Sequence, residues 1–239
     1  MVKAVLFGSL SSLTDLVDLE RRAFNQTFRD VGLDLHWSKT EYDQLLLSKG
    51  RFSGQVEALQ GRVPSTFYQG MELNFRSLID SETLELRPWA KSALDWLATR
   101  PTKTALVSGA ERQTVLRVLA ALFGHRASTM FNVVTAQDVA PDPKPAPALY
   151  AAALSQLRVD PGDAFAIEAT HHGILAAQAA GLRTAGATGG FDAIERLDEA
   201  DIGLGKDMRE TIFRLHAQNL KGPIPSDPLN TAESLAIRP

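Results

Sequence analysis

Two hydrophobic periods share this chain. Val5, Leu6 and Phe7 form a short apolar run that stops at Gly8, the pattern of a strand buried on both faces of a parallel sheet. The period then turns helical: Leu19, Ala23, Phe24, Phe28 and Val31 recur at spacings of three and four until Gly32 stops them. Tyr42, Leu45, Leu46 and Leu47 predict a second helix ending near Gly50, and Val56 and Leu59 a third before Gly61. Pro64 opens a fourth, through Phe67, Met71, Phe75 and Leu78.

After Arg87-Pro88 helix and strand patterns alternate to about Gly190. Trp89, Leu94 and Leu97 mark a helix ended by Pro101, and Lys103 to Val107 a strand. Helix Arg112 to Phe123, strand Phe131 to Thr135, helix Ala148 to Leu157 and strand Ala164 to Ile167 follow. An alanine-rich helix closed by Gly181, strand Arg183 to Ala187 and helix Asp192 to Leu197 complete the series. This order predicts an α/β doubly wound parallel-sheet core carrying an inserted all-helical unit. The core takes residues 1–16 and 84–215, the helical insertion 17–83, and a proline-interrupted tail 216–239.

Composition narrows the function classes. With 239 residues, 44% of them hydrophobic and 22% charged, the chain is long enough to bury a full core. A net charge of −3 gives no reason to expect nucleic acid or an anionic membrane as partner. The absence of cysteine removes disulfides, thiol nucleophiles and thiolate metal sites, which fits a cytoplasmic setting. The apolar run after Lys3 is too short for a signal sequence or a membrane span.

Ligands of such sheets bind beyond the carboxyl end of the first strand, so the residues after Phe7 are the first place to look for chemistry. They read Gly8-Ser9-Leu10-Ser11-Ser12-Leu13-Thr14-Asp15. Further on, Ser108-Gly109 closes the second core strand, Lys144-Pro145-Ala146-Pro147 precedes a helix, and Glu168-Ala169-Thr170-His171-His172-Gly173 follows the fourth strand pattern. In this order the stretches resemble the haloacid dehalogenase-like superfamily, in the branch of phosphoglycolate phosphatase, beta-phosphoglucomutase and CbbY-type sugar phosphatases. The resemblance covers about nine-tenths of the chain in order and spacing. It implies a mobile helical cap over the site, an aspartate nucleophile that forms a phosphoaspartate, a second aspartate that moves the proton, and Mg2+.

Residue by residue, the resemblance places the nucleophile at Gly8, the acid/base at Leu10, the motif glycine at Ser11 and its threonine at Ser12, while Leu13 and Asp15 match. It gives Ser108 and Gly109 the phosphoryl group to hold and Lys144 the charge to neutralise. The magnesium-binding aspartate falls at Ala169, leaving Glu168 beside it. Mg2+ needs hard oxygen ligands in near-octahedral order, so none is expected to be held here. Each surviving group also has a plainer reading: Ser-Gly before a helix is a common cap, and a lysine on a proline-rich loop is often only solvated.

Lys49-Gly50-Arg51 is a basic cluster at a helix end, which the helix dipole alone would favour, and Arg51 is retained as a weak substrate-side candidate. His171 and His172 beside Glu168 invite a transition-metal reading, but adjacent residues do not readily face one ion and no third imidazole has an obvious place. The leading expectation is therefore an inactive member of this group, binding a phosphorylated small molecule or an unspecified protein partner. Two alternatives stand beside it. One is a hydrolase using displaced acids such as Asp15, Asp138, Asp142 or Glu168. The other is a purely structural protein working through its helical insertion or tail.

Overall fold

In a computed structural model the described residues are 2–49, 58–59, 61–140, 142–187, 197–204, 207, 209–212 and 214. The strands are β1 (Ala4–Gly8), β2 (Lys103–Val107), β3 (Val133–Thr135), β4 (Ala164–Glu168), β5 (Arg183–Gly186) and β6 (Ile202–Gly203). They form one six-stranded sheet in the order β3-β2-β1-β4-β5-β6, and every neighbouring pair is parallel. The winding direction reverses at β1, so its carboxyl end opens into a crevice between diverging connections.

β1 is apolar throughout because both its faces are covered. All five of its residues are buried, and side chains alternate between the faces. Val5 and Phe7 pack on one face with Leu94, Leu97, Val115 and Leu119. Ala4 and Leu6 pack on the other with Tyr150, Leu154 and Ala176. The helices supplying these layers are α4 (Pro88–Leu97), α5 (Arg112–Phe123), α6 (Ala148–Leu157) and α7 (His171–Ala179). Pro88 begins α4, where its missing N–H leaves no carbonyl unpaired. The Thr170 hydroxyl caps α7 by accepting the Gly173 amide.

Between β1 and α4 the chain builds a helical insertion from α1 (Val17–Asp30), α2 (Lys39–Lys49) and α3 (Phe67–Ser81). It has its own core of Val17, Phe24, Phe28, Tyr42, Leu46, Leu59 and Phe67. Phe24, Phe28, Trp37 and Phe67 pack in stacked, tilted and edge-to-face pairs, with centroids 4.9 to 6.3 Å apart. Each such ring contributes about 1.5–3 kcal/mol on burial. The two chain crossings into and out of the insertion lie together: the Arg87 amide donates to the Leu13 carbonyl at 2.7 Å, and the Thr14 hydroxyl to the Glu85 carbonyl at 2.7 Å.

Several boundaries differ from the sequence expectations. The strand expected over 131–135 begins at Val133, because Phe131 is drawn into the core beneath Phe7 while the Asn132 side chain accepts the Thr104 amide. Pro64 does not open α3 directly; its carbonyl accepts the Phe67 amide and the helix starts there. The two-residue β6 was not foreseen, since Ile202-Gly203 is too short to show a period. Val56, Gly50, residues 188–196 and the tail 216–239 lie outside the described residues.

Candidate functional site

At the end of β1 the chain turns sharply. Ser9 holds φ 56° and ψ 156°, a backbone region that side chains disfavour, and its amide donates to the Val107 carbonyl at 2.8 Å. Strain of this kind costs about 1–3 kcal/mol and tends to collect at ligand sites. A one-turn helix over Leu10–Ser12 follows.

Beside that turn lies a buried ionic knot. Glu168, at the end of β4, is fully buried, and its Oε1 accepts from the Lys144 ammonium at 2.6 Å and the Tyr150 hydroxyl at 2.7 Å. Its Oε2 accepts from the Ala169 amide at 3.1 Å, the Thr170 hydroxyl at 3.2 Å and the Ser9 hydroxyl at 3.5 Å. A carboxylate out of water is tolerated only when paired and hydrogen-bonded, and here both oxygens are engaged. Lys144 also donates to the Val107 carbonyl at 3.0 Å. Burial first, and the Glu168 charge second, push the Tyr150 phenol well above its ordinary pKa of 10.0.

The knot occupies the space in front of Gly8. A Cβ at position 8 would stand 2.1 Å from Glu168 Oε1 and 2.1 Å from the Tyr150 hydroxyl. A Cβ on Gly173 would stand 2.0 Å from Glu168 Cδ, so two glycines frame the carboxylate. Sequence reasoning found Lys144 and Glu168 but missed Tyr150. The signal was a lone tyrosine in the otherwise Ala/Leu-rich stretch of α6, one that apolar patterning absorbs into the core.

The crevice itself has a volume of about 740 Å³ and lies between the helical insertion and the sheet end. Ser9, Ser108, Gly109 and Thr170 line it from the core, and Tyr68 and Phe75 from α3. Ser108 is 2% exposed, donates its amide to the Thr135 carbonyl at 3.0 Å and accepts the Ala110 amide on its hydroxyl at 3.1 Å. The charged side chains of the lining are Glu20, Glu72 and Glu111; among the described residues no lysine or arginine belongs to it. A polar ladder fastens the insertion along this edge. Arg76 pairs with Glu111 and Glu72 and donates to Thr114 at 3.2 Å, Thr114 donates to Glu72, and Arg117 pairs with Asp80.

The remaining candidates are dispersed. Asp15 accepts the Val17 amide at 3.1 Å and starts α1. Asp138 pairs with Arg112 at 2.6 Å, and hydrogen bonding from that guanidinium holds its carboxyl below the usual range. Asp142 is exposed. His171 Nδ1 lies 3.3 Å from Glu199, and no group of three metal-ligating side chains forms among the described residues. Leu10 is buried in the core. Arg51 and the Lys49 side chain lie outside the described residues.

A Rossmann-like parallel core, a helical insertion directly after β1 and a lysine meeting an acid at the sheet's carboxyl edge define a class of α/β proteins with the site at the end of the first strand. The chain matches the haloacid dehalogenase-like hydrolase family over residues 8–181, and it belongs to that family. It is 30% identical over 208 residues to the protein CbbY of Cereibacter sphaeroides, spanning 84% of this chain and 90% of that protein. It is also similar to the crystal structure of CbbY from Rhodobacter sphaeroides in complex with phosphate, at 30% identity and TM-score 0.75, covering 85% of this chain and 94% of that one. A beta-phosphoglucomutase structure from Clostridium difficile shares the fold at 18% identity and TM-score 0.73, covering 92% of this chain and 100% of that one.

Proposed function

We propose that this family member binds a small molecule at the sheet's carboxyl end without turning it over by the family's phosphoaspartate route. One observation carries the proposal: the volume that a side chain at position 8 would need is filled by the Glu168 carboxylate and the Tyr150 hydroxyl. Chemistry through an aspartyl-phosphate needs a carboxylate projecting into the crevice, and Gly8 offers none. Leu10, at the acid/base position, packs into the core and carries no proton to move.

Glu168 is no substitute. It is sealed from the crevice, and its two oxygens already receive an ammonium, a phenol, a backbone amide and two hydroxyls. For the same reason the donor set does not fit Mg2+, which takes at least one or two free carboxylates in near-octahedral order. Ala169 has no side-chain oxygen, and the Glu168 charge is already paired with Lys144. Displaced Asp15 and Asp138 are spent on a helix start and an arginine. Of the acids named for a displaced-acid hydrolase, Asp142 is exposed and outside the described crevice lining, so that reading is the weaker one.

The bound molecule enters from the family. A relative's structure holds phosphate, and another holds xylulose-(1,5)bisphosphate, so a phosphorylated metabolite is the class to try first. In this chain Ser108 and Gly109 are the groups left to receive it, under a helical insertion acting as the cap. Lys144 reaches it only after releasing Glu168. The acids at Glu20, Glu72 and Glu111 make that phosphate contact weaker than in a site lined by cations. A cytoplasmic setting belongs to the same proposal. Among the described residues no helix is long and apolar enough to cross a membrane.

The test is turnover of p-nitrophenyl phosphate and of a pentulose bisphosphate, with and without Mg2+, beside a thermal-shift series in the same compounds. The expected result is no hydrolysis above background, together with a concentration-dependent rise in melting temperature for a ligand of the crevice. Mg2+-dependent hydrolysis at ordinary enzyme rates, lost in Glu168→Gln, would sink the proposal.

A further inference from the structure

We propose that a second site, at the amino-terminal edge of the sheet, binds a small polyanion. Here the entry to β1, the start of β2 and the approach to β4 meet. Lys3 donates its amide to the Asp163 carbonyl at 2.7 Å, and Lys103 donates to the Lys3 carbonyl at 2.9 Å. The strands are five residues long, so this edge lies about 16 Å from the crevice at about 3.3 Å per residue.

A hollow of about 610 Å³ opens at this edge, lined by Lys3, Arg100, Lys103 and Arg158, with Trp96 forming part of its wall. A second hollow of about 420 Å³ shares Arg100 and Lys103 and adds Arg126. These volumes are those of small-molecule sites. Neither lining contains an aspartate or glutamate among the described residues. Among the described residues, Lys3 is the one of these five cations with a carboxylate partner, Asp163 at 2.6 Å. Arg100 donates to the Trp96 carbonyl at 2.6 Å and the Thr99 hydroxyl at 2.9 Å, and Lys103 to the Leu157 carbonyl at 2.7 Å, all neutral acceptors.

On a chain of net charge −3, five cations gathered around two hollows whose described linings hold no carboxylate, with Asp163 paired to Lys3, are unlike a solvated surface, where the two signs intersperse. The Arg100 guanidinium also lies 3.6 Å over the Trp96 ring, which holds it at the wall of the hollow. The hollow thus presents ammonium and guanidinium donors whose described acceptors are mainly neutral. The missing complement is a molecule rich in acceptors and negative charge. Val2, Val159 and Ile212 beside them give it an apolar floor, so a polyanion with an apolar body fits better than a bare ion. Phosphate and carboxylate groups share this chemistry.

Arg158 supplies the sharpest test. It closes α6 at φ 55° and ψ 53°, the left-handed conformation that glycine adopts without penalty. Arg158→Gly should therefore leave the fold at least as stable while deleting one cation of the site. The full chain is titrated with pyrophosphate, ADP and citrate, followed by tryptophan fluorescence and calorimetry, against potassium chloride of equal ionic strength. With the crevice weakened by Ser108→Ala, saturable binding of at least one polyanion is expected to persist, and to fall about tenfold or more in Arg158→Gly and again in Lys103→Gln. Preference for pyrophosphate and ADP over citrate assigns phosphate; the reverse assigns carboxylate. The proposal is overturned if no polyanion saturates the protein, if binding survives both cation changes, or if it is lost in Ser108→Ala, which would put the anion in the crevice instead.

Discussion

Replacing Gly8 by alanine adds one methyl group at the most constrained point of the molecule. The new Cβ would lie 2.1 Å from both Glu168 Oε1 and the Tyr150 hydroxyl, far inside contact distance, so at least one of them has to leave. Neither is the end of a freely moving chain. Tyr150 is fully buried among Leu149, Leu154 and Ala176, and Glu168 is held by five donors. Overpacking of this kind costs about 1–3 kcal/mol. Loss of one hydrogen bond to a buried charge adds about 1.5–3 kcal/mol. The sum, about 2.5–6 kcal/mol, corresponds to a fall in Tm on the order of 10 °C for a chain of this length. Urea unfolding of parent, Gly8→Ala, Tyr150→Phe and the double variant measures it as a cycle. Because Tyr150→Phe removes one of the two atoms in the way, the double variant should lose less than the sum of the singles, by about 1 kcal/mol or more. A Gly8→Ala protein within 1 kcal/mol of the parent, or strictly additive changes, would mean that the carboxylate and phenol do not fill that space.

Two further outcomes follow from the same knot. The Tyr150 pKa is raised by folding, so its contribution to stability is fully present below about pH 10, where unfolded tyrosine is neutral, and is lost as pH rises toward the folded value. Urea unfolding between about pH 9 and 11 should show stability falling more steeply in the parent than in Tyr150→Phe, whereas parallel slopes would show that the phenol's surroundings are ordinary. Lys144→Met leaves Glu168 buried without its cation and should cost about 3–5 kcal/mol, while the pair Lys144→Met with Glu168→Gln should recover most of it. Equal losses in the single and double variants would deny the ion pair a role in holding the site.

Much of the architecture was legible because it is written in short-range pattern. The apolar run ending at Gly8 gave β1, the three-and-four spacing of Leu19, Ala23, Phe24 and Phe28 gave α1, and Pro88 marked the start of α4. The order of these elements along the chain, with motifs at strand ends, was enough for the family. Lys144, Glu168 and Ser108 could likewise be named from position alone, since the ends of parallel strands converge on one edge.

How those residues are arranged is decided only in three dimensions. Gly8, where the family resemblance puts an aspartate, reads in sequence as a gap. The packing turns Glu168 and Tyr150, 160 and 142 residues away in the chain, into that gap, because a buried carboxylate takes whatever donors surround it. Tyr150 carries no periodic signal of this role. The acidic lining of the crevice joins Glu20 and Glu72 of the insertion to Glu111 of the core, and the basic hollow joins Lys3, Arg100, Lys103 and Arg158 from three separate segments. Local pattern sets which faces of each element are apolar and so which elements must pack. Charges far apart in sequence meet only through that packing, and their sum at a cavity is a property of the tertiary structure.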